Sequence, residues 1–134
     1  MSSIAQVFEH KFPSGLDQTI ATLSVSLDDI VARLGMEPDS WEEDGLGPSR
    51  GVFIRLPSGR IALIRERAKA IKHLGVPGPQ LVVDAADLVA FGVSSLLEEA
   101  VRALGLSESA VAWKADEDIR QSAAQILAAM RLRS

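Results

Sequence analysis

The sequence predicts an α+β fold: a small, mostly antiparallel sheet built around a central hairpin, with helices packed on it. Three observations carry that expectation. Two apolar runs, Val52–Leu56 and Ile61–Arg65, flank Pro57-Ser58-Gly59-Arg60 and read as a β-hairpin. Apolar residues recur at helical spacing in several other segments, each with its own start and stop signals. The 134 residues, 47% hydrophobic and 24% charged, suffice for one ordinary core, so 1–134 reads as a single domain with 1–15 as a loose N-terminal arm.

Taken in order, Pro13-Ser14-Gly15 marks a turn after that arm, and Leu16–Leu23 is expected to be helical. Ser26 can cap a second helix with Asp28 and Asp29 in its first turn; Leu27, Ile30, Val31 and Leu34 form its apolar stripe and Gly35 ends it. From Met36 to Gly45 an acidic loop is expected, because Pro38, Gly45, Gly47 and Pro48 punctuate it. With a two-residue turn at Ser58-Gly59, Leu56 would face Ile61 and Val52 would face Arg65. Both hairpin faces are then partly apolar, which places the hairpin centrally in the sheet. The segment from Arg67 to Leu74 reads as a short basic helix or an irregular edge.

Leu81-Val82-Val83 reads as a short buried strand, and Asp84 as the cap of a helix running to Phe91. Ser95 and Glu98 have capping-box spacing ahead of a stripe of Leu96, Leu97, Ala100, Val101 and Leu104. Val111-Ala112-Trp113 is a candidate edge strand. Asp116 starts the last helix, with Ile119, Ala123, Ile126, Leu127 and Met130 on one face.

Motifs of chemistry are sparse. No cysteine is present, which excludes a disulfide framework and thiolate metal sites. His10 and His73 lack metal-ligand spacing, no serine lies in a nucleophile elbow, and Gly45-Leu46-Gly47 lacks the later glycine of a dinucleotide loop. Asp84 and Asp87 are the one carboxylate pair placed for acid–base work or Mg²⁺, and their spacing equally suits a helix cap. No catalytic residue, metal or cofactor is expected. The segment Ser26–Gly35 resembles the first helix of a helix-turn-helix, but the five acidic residues and the proline that follow do not suit a recognition helix. No secretory signal or membrane-length apolar run stands in the sequence, so a cytoplasmic protein that does not engage membranes is expected.

Charge is the main functional clue. Net charge is −4, yet Arg50 to Lys72 carries seven basic residues and one acidic, or +6, leaving −10 on the remainder. One acidic set, Glu37, Asp39, Glu42, Glu43 and Asp44, surrounds Trp41, and a second, Asp116, Glu117 and Asp118, adjoins Trp113. Carboxylates around an aromatic anchor suit a basic protein partner, with charge steering the encounter and the ring supplying the desolvated contact. These residues are the candidate partner surface; Arg55, Arg60, Arg65 and Arg67 form a secondary basic surface. Nucleic acid is disfavoured because Phe53 is the lone aromatic in the basic segment.

In its short, acidic, cysteine-free α+β character, the chain resembles the immunity proteins of bacterial toxin and contact-dependent inhibition systems. That resemblance implies a non-catalytic inhibitor that plugs a basic toxin domain. Its layout of helix, loop, hairpin, strand, helix, strand and helix is also similar to class I type III secretion chaperones, which implies the alternative of a dimer wrapping an extended effector segment.

Overall fold

A computed structural model describes residues 4–7, 11–43, 47–67 and 78–133. Among these residues a seven-stranded, wholly antiparallel sheet is formed by β1 (Ala5–Val7), β2 (Asp17–Leu23), β3 (Asp39–Glu43), β4 (Gly47–Arg55), β5 (Ile61–Arg67), β6 (Gln80–Asp84) and β7 (Val111–Lys114). The lateral order is β1-β4-β5-β6-β2-β7, with β3 also on β4. The helices are α1 (Leu27–Leu34), α2 (Ala85–Phe91), α3 (Val93–Ala103) and α4 (Ile119–Arg133). The predicted fold class is the observed one.

Strand alternation divides the interior into two clusters. Val52, Ile54, Leu56, Ala62, Ile64, Leu81 and Val83 point to the face that meets Leu27 and Ile30 of α1, Leu88 of α2, Leu96 and Ala100 of α3 and Ala123 of α4. On the opposite face Phe53, Leu63 and Val82 meet Phe12, whose ring centroid lies 5.4 Å from that of Phe53, with Trp41, Val7 and Ile61 at the margin. Among the described residues the helices contribute to the first cluster only. Side chains such as Ile20, Ile54, Ile64 and Leu88 are fully buried, each stabilising the fold by about 1.5–3 kcal/mol relative to exposure.

Ser26 caps α1 as expected, its side chain accepting from the Asp29 N–H at 3.1 Å. Asp84 caps α2 by accepting from the Ala86 N–H at 3.0 Å. The same buried carboxylate also takes the Ser14 N–H at 3.2 Å and the Ser14 hydroxyl, so it ties the turn before β2 to the start of α2.

Several expectations are corrected. The expected helix over Leu16–Leu23 is instead β2, Asp17–Leu23: it lies between β6 and β7, and the helix-like spacing of Leu16, Ile20 and Leu23 is accommodated by a bulge at Ile20 in the pairing with β6. The acidic loop contains a strand, β3, paired with β4 from Asp39↔Gly51 to Glu43↔Gly47. The hairpin register is one residue off the expectation: Arg55 pairs with Ile61 and Val52 with Ile64. Its loop is three residues, Pro57 to Gly59, with Gly59 at φ +92° and the Leu56 N–H donating to the Arg60 carbonyl, so a left-handed residue completes the turn and resets the pairing. α3 starts at Val93, ahead of Ser95, and the capping box is not used. Glu117 supplies the cap, accepting from the N–H groups of Val93 at 3.3 Å and Ser94 at 2.9 Å. Within the expected loose arm, residues 5–7 form β1 and Phe12 is buried. The expected basic extension lies outside the described residues beyond Arg67.

Candidate functional site

The acidic segment around Trp41 becomes a site because it is extended. As β3 runs antiparallel to β4, Asp39, Trp41 and Glu43 alternate with Ser40 and Glu42. Trp41 falls on the sheet face opposite the described helices and packs against the Phe12–Phe53–Leu63 cluster. Gly51 makes this possible. A Cβ at that position would lie 3.1 Å from Trp41 Cη2 and 2.5 Å from the Ile64 carbonyl oxygen, so the absent side chain is the room the indole occupies. Ser49 pairs with Trp41 across the strands, and its buried hydroxyl has no hydrogen-bond partner among the described residues.

Beside the indole lies a cleft of about 570 Å³, lined by Trp41, Phe12, Phe53 and Leu63 together with the charged residues Lys11, Asp17 and Arg65. Arg65 is 6% exposed. Its guanidinium donates to Gln80 Oε1 at 2.9 and 3.2 Å, to Thr19 Oγ1 at 3.3 Å and to Asp17 Oδ2 at 3.4 Å. The cleft is thus aromatic, with the braced Arg65 and Lys11 in its lining.

Arg60 of the predicted basic surface, and Arg50 beside it, are also held by internal partners. Arg60 lies with its guanidinium carbon 3.5 Å from the Phe91 ring centroid and 3.4 Å from Glu99, which also accepts from Ser58 at the hairpin tip. Arg50 forms a bidentate pair with Asp28 at 2.9 and 3.0 Å and reaches Glu66 at 3.0 Å. The Arg50 partnership holds the Asp28 carboxyl below the usual aspartate range. Arg55 is exposed and donates to the Gly59 carbonyl at 3.1 Å. Arg67 pairs with Ser49 at the end of β5. Arg65 and Arg60 therefore serve the fold more than an open surface.

Of the acidic residues, Glu37 and Glu42 are exposed and Asp39 is half-buried. The Glu37 carbonyl accepts from Gln6 Nε2 at 2.9 Å. Glu43 closes β3 in the backbone ladder, and Asp44 lies outside the described residues. The second acidic set does not join the first. β7, carrying Trp113, sits at the other edge of the sheet, five strand spacings or about 24 Å from β3. There Trp113 lines a groove of about 860 Å³ with Leu97, Val101 and Leu106. Asp116 accepts from the Asp118 N–H at 3.0 Å, and Glu117 caps α3, which leaves Asp118 as the exposed member without such a role.

The carboxylate pair Asp84 and Asp87 is likewise built into the start of α2. Burial, then the neighbouring Asp84, push the Asp87 carboxyl up, with Arg60 opposing. His10 and His73 lie outside the described residues. No group of three or more histidine, aspartate or glutamate side chains converges in a metal-holding arrangement among the described residues, and none of their helices is long and apolar enough to cross a membrane.

Sequence reasoning missed the extended form of residues 39–43 and the partnership of Gly51 with Trp41. The usable signal was the bracketing of six residues by Pro38 and Gly45 just ahead of a strong strand, which is hairpin spacing. No protein-family model, curated protein or solved structure matches the chain.

Proposed function

We propose that this protein is a non-catalytic binding module that engages a basic protein partner through the acidic strand β3 and Trp41. An immunity-type inhibitor of a bacterial toxin is the biological role that best fits such a surface. One observation carries the reading: Arg50, Arg60 and Arg65 spend their charge on internal partners, while the exposed carboxylate of Glu42 has no cation beside it among the described residues. A toxin that holds phosphate is basic where it does so, and carboxylates on a firm strand stand in for the phosphates. Trp41, half-buried beside a cleft, offers an aromatic anchor already held in place.

The test is association with the product of the adjacent reading frame, followed by rapid-mixing kinetics. The triple variant Asp39→Asn, Glu42→Gln, Glu43→Gln removes negative charge without removing bulk. The on-rate is expected to fall by about tenfold at low salt with the off-rate less changed. Equal on-rates for parent and variant would sink this assignment of the surface.

A further inference from the structure

The outer edge of β4 is covered by two separate pieces of chain laid end to end. β3 pairs with residues 47–51 of β4 and β1 with residues 53–55, leaving only the position of Val52 between them. Both pieces run antiparallel to β4 and are therefore parallel to each other. A hydrogen bond of 2.9 Å from Gln6 Nε2 to the Glu37 carbonyl joins them. Together they present one composite strand, following nine positions of β4, or about 30 Å. Among the described residues neither piece pairs with any strand but β4.

An open sheet edge is a template for another strand, and proteins commonly guard it with charge. The guard here is of one sign. Every charged residue in the sequence of β3 is acidic, so a second copy laid β3 on β3 would gather like charges on one edge, which is destabilising. The same side chains favour a strand bearing lysine or arginine. The β1 part, Ala5, Gln6 and Val7, carries no charge. Polarity along the composite edge is thus neutral at one end and acidic at the other.

We propose that the composite edge of β1 and β3 accepts an extended, basic segment of the partner as an added strand, extending the sheet beyond β3. The inference rests on the reading of the β3 surface as the partner face and adds to it the mode of recognition: main-chain hydrogen bonds for affinity, lysine or arginine side chains for selectivity.

The two tryptophans stand on opposite edge strands, which provides the reporter. In the Trp113→Phe protein fluorescence comes from Trp41 alone, and in the Trp41→Phe protein from Trp113 alone. The probe is a blocked peptide of about ten alternating lysine and threonine residues. Its controls are two forms N-methylated on alternate amides, one for each side of the peptide, and a glutamate–threonine counterpart. The lysine peptide is expected to give a saturable Trp41 signal at low salt. One N-methylated form, with unchanged charge, is expected to bind at least about tenfold more weakly because several main-chain bonds of about 0.5–1.5 kcal/mol are lost. The glutamate peptide is expected not to bind. Equal binding by the parent and both N-methylated forms would overturn strand addition while leaving the acidic-surface reading intact. No binding of the lysine peptide would overturn both. A signal confined to Trp113 would place the occupant on β7 and overturn the proposal, and concentration-dependent dimerisation in sedimentation without peptide would identify a second copy as the occupant instead.

Discussion

Replacing Gly51 with alanine adds one methyl group at the point where three elements meet. The added carbon would sit 2.5 Å from the Ile64 carbonyl oxygen, 3.1 Å from Trp41 Cη2 and 3.2 Å from Arg65 Cα. Two of these three neighbours are backbone of β5, a strand flanked on both sides by others, so they cannot swing away as a side chain would. At an unstrained site a glycine-to-alanine change stabilises by about 0.4–1 kcal/mol through the unfolded chain. Overpacking costs about 1–3 kcal/mol, and a backbone obstacle puts this site at the upper end, so the expected net loss is about 2–3 kcal/mol. For a domain of this size that corresponds to a fall in Tm of roughly 8–12 °C. Urea unfolding followed by circular dichroism measures the loss. Fluorescence of the Trp113→Phe background reports whether the indole has been pushed toward water. Adding Trp41→Phe relieves the ring contact but not the contact with Ile64, so the double variant is expected to recover only part of the stability. Stability within about 0.5 kcal/mol of the parent would refute the argument, and so would full recovery in the double variant.

Other outcomes follow from the same geometry. Asp84→Ala removes the acceptor for the Ala86 N–H and for both Ser14 donors, and a loss of about 2–3 kcal/mol is expected in urea unfolding; Asp84→Asn, which keeps an acceptor, should lose less. Asp87 is held above the ordinary aspartate range by burial, by Asp84 and by Glu99, with Arg60 opposing. A raised folded-state pKa means that the group's contribution is present below its unfolded pKa and is lost as pH rises through the folded value. Asp87→Asn is therefore expected to stabilise the protein at neutral pH, with the gain vanishing below the ordinary aspartate range; a gain unchanged between pH 7 and pH 3 in parallel urea titrations would contradict the assignment. Arg60→Ala loses the Phe91 stacking and the contact with Glu99. About 1 kcal/mol of destabilisation is expected, and Arg60→Lys should restore only part of it because the planar guanidinium is what stacks.

Much of the architecture could be read from residue order alone. The hairpin, the Ser26 and Asp84 caps and the stripes of α1 and α3 depend on local signals, and these coincide with the structure to within a few residues. The errors came where distant chain decided. Leu16–Leu23 has apolar spacing compatible with a helix, but β6 and β7 claim its backbone. Ser95 and Glu98 have the spacing of a cap, yet Glu117, more than twenty residues away, does that work. The candidate site was legible as composition and illegible as geometry. Carboxylates disfavour strands in general, but an edge strand leaves them in water, and β3 is an edge strand. Partnerships within the basic segment were equally hidden, because Asp28, Glu99 and Asp17 lie far from it in sequence and meet Arg50, Arg60 and Arg65 only after folding.

The position of β2 has a consequence for how the molecule is made. This strand, from the first fifth of the chain, is inserted between β6 at Gln80–Asp84 and β7 at Val111–Lys114. On an emerging polypeptide the hairpin of β4 and β5 can close early, since it needs only near neighbours. β2 must instead wait, unpaired on both sides, until most of the chain has left the ribosome, and it cannot be fully enclosed until Lys114 has emerged. Assembly governed by such remote pairings is slow for the size of the protein, and the waiting strand carries Ile20, Ala21 and Leu23, which are fully buried at the end. β2 is thus a strand that the nascent chain must shield until both of its remote neighbours have emerged.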